Sequence, residues 1–127
     1  MEFELPEEEV NENLTQPGDI KMPVIRIEDL NAFQDIVARE DRVLVKFEAD
    51  WCMPCKAMAS VVEEIANQHP DVKVLAVDIE AEGIDSVLIE YGVRSLPTFV
   101  HLREGTKVNS TCGTVSKAEL SSLLNVA

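Results

Sequence analysis

Cys52 and Cys55 bracket Met53-Pro54, so two thiols lie close enough to act on one bond. Such a pair serves either thiol–disulfide exchange or zinc. Its surroundings favour exchange. The β-rich run Val43-Leu44-Val45-Lys46-Phe47 precedes it and a helical stripe follows it, which puts Cys52 near the first turn of a helix. Unpaired N–H groups and the positive end of the helix dipole stabilise a thiolate there. A free thiol has a pKa of about 8.5, and this setting moves it toward ambient pH, where an attacking thiol works best. The spacing lets the second cysteine resolve a mixed disulfide formed by the first. Pro54 restricts the backbone between them and suits a helix start, where a missing N–H matters least. A structural zinc takes four protein ligands, and the chain offers no second Cys-x-x-Cys or Cys-x-x-His. Only Cys112 or His101 remain to complete a set. No metal is therefore expected.

Alternating elements position this pair. Val24-Ile25-Arg26-Ile27 reads as a strand, and Asp29 as the cap of a helix with Leu30, Phe33, Ile36 and Val37 on one side. After the cysteines one helix is expected, with Met58, Val62, Ile65 and Ala66 inward and His69-Pro70 at its end. Val72 to Ile79 is nearly all apolar before Asp78, as in a strand buried on both faces. Ile84 to Tyr91 reads as a helix stopped by Gly92. Pro97 to Leu102 and Lys107 to Cys112 read as a hairpin turned at Glu104-Gly105. Ser116-Lys117-Ala118-Glu119 is a capping box for a last helix carrying Leu120, Leu123 and Leu124. The order β-α-β-α-β-α-β-β-α predicts an α/β fold, a mixed central sheet with helices on both faces.

Composition narrows the function. The 127 residues suit a single core, and 46% of them are hydrophobic. Lys and Arg number 11 against 24 Asp and Glu, a net charge of −13, which argues against binding nucleic acid or an anionic membrane. No run approaches the roughly 18 apolar residues of a membrane span. Met1 to Glu9 is acidic where a signal peptide would be positive and then apolar. A cytoplasmic location is expected, where a close cysteine pair does chemistry rather than stapling. Residues 1–20 hold seven of the acids and no base, and Gln16-Pro17-Gly18-Asp19 marks a linker. Residues 1–20 are read as a flexible acidic extension, and 21–127 as the folded domain.

Val43 to Lys56, with Trp51-Cys52-Met53-Pro54-Cys55 at its centre, resembles the active-site strand and helix start of the thioredoxin family. Tyr91-Gly92-Val93-Arg94-Ser95-Leu96-Pro97-Thr98 resembles the segment before that family's cis-proline, and Gly105 and Gly113 fall where the family has glycines. The likeness covers about 22–127. It implies the thioredoxin fold, Cys52 as an exposed nucleophile and Cys55 as the resolving thiol. It implies that Trp51 shields the site and that Pro97 is cis, so that a substrate backbone pairs with Leu96. Met53 and Pro54 border the same surface. The implied activity is reduction of protein disulfides by a monomer that needs no cofactor beyond its own redox-active Cys52–Cys55 disulfide. A flavin-dependent thioredoxin reductase would recycle it.

Several positions depart from the pattern. Lys46 stands where the family has a buried acid, Glu48 replaces an aromatic, Met53 a glycine, Ser60 a helix-kinking proline, and Ala76 the lysine opposite the acid. A buried neutral Lys46 would accept the Cys55 proton. A charged one would favour the thiolate and make the couple more oxidising. Lys46 and Glu48 also share a strand face, so a salt bridge reaching solvent is a third outcome. Two other functions stay open: a thioredoxin-like oxidase or isomerase, and a non-catalytic interaction module using the acidic tail. Cys112 is expected to be a small buried hydrophobe, His69 a helix-end charge, and His101 a core-edge side chain. Asp50 and Glu48 are expected to be solvated carboxylates.

Overall fold

A computed structural model describes residues 24–125. The acidic extension at 1–20 lies outside the described residues. Strand β1 (Val24–Asp29) leads into helix α1 (Leu30–Arg39), and the Asp29 carboxylate caps α1 by accepting from the Ala32 N–H at 2.8 Å. Strand β2 (Arg42–Glu48) is followed by α2 (Met53–Ala57) and α3 (Ala59–Gln68). Then come β3 (Lys73–Glu82), α4 (Asp85–Glu90), β4 (Thr98–Arg103), β5 (Thr106–Cys112) and α5 (Lys117–Leu124). The expected capping box is present. The Glu119 N–H donates to Ser116 Oγ at 3.1 Å, and the Ser116 N–H donates to Glu119 Oε1 at 3.0 Å.

The five strands lie in the order β1-β3-β2-β4-β5. β3 runs parallel to both β1 and β2, whereas β4 is antiparallel to β2 and to β5. The sheet is therefore mixed, as expected, with β2 at its centre. Alternate residues of β2 feed opposite faces. Val43, Val45 and Phe47 join Phe33, Ile36, Ile84 and Val87 under α1 and α4. Leu44 joins Met58, Val62, Ile65, Phe99 and the α5 leucines Leu120, Leu123 and Leu124. Lys46 takes the second of these faces by period.

The single helix expected after the cysteines is interrupted at Met58, which ends α2 and begins α3. The Met58 N–H donates to the Cys55 carbonyl at 3.1 Å, a three-residue turn that tightens the helix locally. Helix α4 ends in a Schellman motif. Gly92 takes φ 69°, its N–H reaches the Ile89 carbonyl at 3.2 Å, and the Val93 N–H reaches the Leu88 carbonyl at 2.9 Å. That stop delivers residues 93–97 to the cysteine end of the sheet. The β4–β5 turn places Glu104 and Gly105 at φ 51° and 81°, the positive pair that a two-residue hairpin requires.

Candidate active site

β2 ends at Glu48, and the chain turns at once, with the Cys52 N–H returning to the Ala49 carbonyl at 3.1 Å. Cys52 is the N-cap of α2 in extended conformation, and its Sγ accepts from the Cys55 N–H at 3.2 Å. That backbone donor favours negative charge on the Cys52 sulfur. α2 is too short for the helix-dipole argument to carry much, so this hydrogen bond is the main local stabilisation. Pro54 falls in the first turn, where it removes no helical bond. Cys52 and Cys55 form a disulfide with Cα atoms 5.3 Å apart, within the usual range for such a bridge.

Exposure within the site corrects one expectation. Cys52 is 5% exposed and Cys55 1%, so the first cysteine is the more accessible of the two but not an open one. Both are enclosed with Ala49, against Ile79 and Leu96. The exposed groups are their neighbours, Trp51 at 64% and Met53 at 70%. The Trp51 indole N–H donates to Glu80 at 3.4 Å, which pins the ring to the end of β3.

Trp51, Cys52, Met53 and Pro54 form one wall of a groove of about 570 Å³, and Ile79, Leu88, Val93, Arg94, Ser95 and Leu96 form the other. Cys55 is absent from this lining. The Leu96–Pro97 peptide bond is cis, as expected. The Pro97 carbonyl accepts from the Gly113 N–H at 2.8 Å, and Thr98 Oγ1 donates to the Ser95 carbonyl at 2.6 Å, so both ends of the turn are tied.

Behind the cysteines lies Lys46, opposite Ala76 on β3 and Phe99 on β4. Its side chain is 5% exposed, and Nζ lies 2.9 Å from Glu48 Oε1. Nζ also donates to the Cys55 carbonyl oxygen at 2.9 Å. Glu48 is 16% exposed and takes a second cation, Arg26, at 3.4 Å. The expected Lys46–Glu48 pair therefore forms, but beneath α2 rather than out in solvent. Glu48 is corrected from a solvated carboxylate to the counter-charge of a buried ammonium. Asp50 is exposed as expected.

Two further expectations fail. Cys112 is an exposed free thiol, because it ends the edge strand β5. His101 is fully buried, because β4 is covered by β2 and β5 and lies under α5. Burial, and then the Arg42 guanidinium whose Nε lies 3.4 Å from Nε2, push the His101 pKa below its ordinary value. Asn109 and the Leu123 carbonyl act the other way, without reversing the shift. His69 caps the end of α3. Among the described residues, no three His, Cys, Asp or Glu side chains converge to hold a metal. Sequence reasoning missed Ile79, Leu88, Val93 and Arg94 as groove residues and Glu80 as the Trp51 partner. These come from elements that meet only in the fold, and no local pattern marks them.

The Thioredoxin family model matches residues 24–126. The chain belongs to the thioredoxin family. It is 35% identical over 104 residues to a thioredoxin from Pyropia yezoensis, covering 82% of this chain and 96% of that one. It is 36% identical over 99 residues to thioredoxin 1 of Synechococcus elongatus, covering 78% and 92%. Among solved structures, a mutant thioredoxin from Halobacterium salinarum superposes with a TM-score of 0.71 at 31% identity, covering 80% of this chain and 87% of that one. Plasmodium falciparum thioredoxin gives a TM-score of 0.72 at 25% identity, covering 81% and 99%. The protein is thus a thiol–disulfide oxidoreductase that works through an active-site cysteine pair and needs no external cofactor. No described helix is long and apolar enough to cross a membrane.

Proposed function

We propose that the protein reduces disulfides of other proteins, with Cys52 as the attacking thiol and Cys55 as the resolving one. The observation that carries this assignment is the groove, which is lined by Cys52 and not by Cys55. A substrate disulfide entering there meets the Cys52 sulfur first. The Cys52 thiolate attacks one substrate sulfur, the substrate S–S bond breaks, and the departing thiolate takes a proton. The Cys55 thiolate then attacks Cys52 Sγ, releasing the second substrate thiol and leaving the Cys52–Cys55 disulfide. Two electrons pass from the enzyme dithiol to the substrate.

Trp51, Met53 and Pro54 offer apolar contact on one side of the bound strand. Leu96, beside cis-Pro97, offers backbone hydrogen bonding on the other, in the manner of an added β-strand. A thioredoxin reductase returns the disulfide to the dithiol. The protein acts as a monomer in the cytoplasm, and residues 1–20 form an extension separate from the catalytic domain.

The test is insulin reduction by the full chain with NADPH and a thioredoxin reductase. Wild type is expected to turn over, and Cys52→Ser to be inactive. Cys55→Ser is expected to accumulate a mixed disulfide through Cys52. Trapping through Cys55 in a Cys52→Ser chain would reverse the assignment. One observation favours a second reading, as an oxidase or isomerase: the Lys46 ammonium donates to the Cys55 carbonyl, and positive charge beside Cys55 favours the thiolate of the reduced pair. Net oxidation of reduced, unfolded ribonuclease in a glutathione buffer, faster than insulin reduction, would establish that reading instead.

A further inference from the structure

The ammonium of Lys46 has two acceptors and no others are needed to explain its place. Glu48 Oε1 supplies the counter-charge at 2.9 Å that a buried cation requires. The Cys55 carbonyl supplies the second acceptor at 2.9 Å. That carbonyl sits where α2 breaks from α3, bonded to the Met58 N–H of a tightened turn. Ser60 brings no proline to enforce the break, so the ammonium occupies an acceptor at a discontinuity held by tertiary contact. Glu48 makes its ion pairs to Lys46 and Arg26, which leaves the positive member of the pair as the one touching Cys55.

We propose that Lys46 is the positioning residue of the dithiol: an ammonium that holds Cys55 by its own carbonyl and stabilises the Cys55 thiolate by charge, without taking its proton. This rests on Cys55 being the resolving thiol. The Cys55 proton leaves before attack, and Lys46, already charged and paired with Glu48, is not its acceptor. The Cys55 thiolate then bonds to Cys52 Sγ, the Cys52–substrate bond breaks, and the electron pair leaves on the substrate sulfur, which is protonated from water. The dithiol is oxidised and the substrate reduced. Because charge stabilises the reduced state, the couple is more oxidising with Lys46 than without it.

The experiment equilibrates the full chain with glutathione redox buffers and reads the couple through Trp51 fluorescence. Lys46→Met removes charge and hydrogen bond, Lys46→Gln removes charge but keeps a donor, and Lys46→Arg keeps both. Met and Gln are each expected to shift the equilibrium about tenfold toward the disulfide, about 30 mV more reducing. Arg is expected to stay within about twofold of wild type. The proposal is overturned if Met and Gln match wild type, if they shift toward the dithiol, or if only Met shifts. Should the neutral variants not fold, Cys52→Ser/Cys112→Ser with Lys46 intact is titrated by thiolate absorbance. A Cys55 midpoint below the ordinary thiol value of about 8.5 supports the proposal, and one at or above it overturns it. These readouts need neither substrate nor reductase, so they stand apart from any failure of insulin reduction.

Discussion

Replacing Glu48 by Gln keeps the shape of the Lys46 site and removes its counter-charge. Breaking a buried ion pair from one side costs about 3–5 kcal/mol, because the remaining charge is left without water. Two features of the site reduce that figure. Glu48 is 16% exposed, and the glutamine oxygen still accepts from Nζ. The expected loss is about 2–3 kcal/mol. For a domain of this size that lowers the melting temperature by roughly 10–20 °C. The opposite truncation is milder. Lys46→Met leaves Glu48 with Arg26 at 3.4 Å and some water, and the thioether fills the vacated volume. About 1 kcal/mol is expected there. The assay is urea unfolding of the oxidised chain, comparing midpoints at unchanged m-value. A Glu48→Gln chain within about 0.5 kcal/mol of wild type would refute the burial argument. So would a Lys46→Met chain that is the less stable of the two.

Acid pH is expected to weaken the fold through His101. The unfolded imidazole takes a proton near its ordinary value of about 6.5, and the folded one resists until lower pH. Stability is therefore full above about 6.5 and falls as pH drops toward the depressed folded value; His101→Phe should flatten that slope in urea unfolding. Ser116→Ala removes the acceptor for the Glu119 N–H and should cost about 1 kcal/mol in the same assay, with exchange chemistry unchanged. Native oxidised protein should titrate one thiol with a disulfide reagent, Cys112, and none after Cys112→Ser.

Much of this architecture is legible along the chain because its signals are local. Asp29, Ser116, Glu119 and Gly92 each mark a helix end by hydrogen-bonding chemistry that acts within a few residues. The period of two in β2 sends Lys46 and Glu48 to one face, and their pair forms. What that period does not carry is depth, since α2 covers the pair only after the chain has turned back over the sheet. The break at Met58 is hidden for a related reason. Met58, Val62, Ile65 and Ala66 keep an unbroken helical stripe, while the group that engages Cys55 comes from β2. Cys112 and His101 were misjudged together because strand order decides burial: β5 is an edge and β4 is not. The cysteine pair itself needed no tertiary knowledge, since a strand end and a helix start are both written around it.

Burial of the Lys46–Glu48 pair separates two quantities that dissolved ions would otherwise move together. Mobile ions screen exposed charges beyond a Debye length of about 8 Å at physiological ionic strength, and reach buried pairs far less. A chain of net charge −13 meets its partners through a long-range field that salt erases, so association rates follow ionic strength. The charge seated under Cys55 lies out of reach of that screening. Salt should therefore change how quickly this protein finds a disulfide while leaving its equilibrium electron affinity nearly fixed.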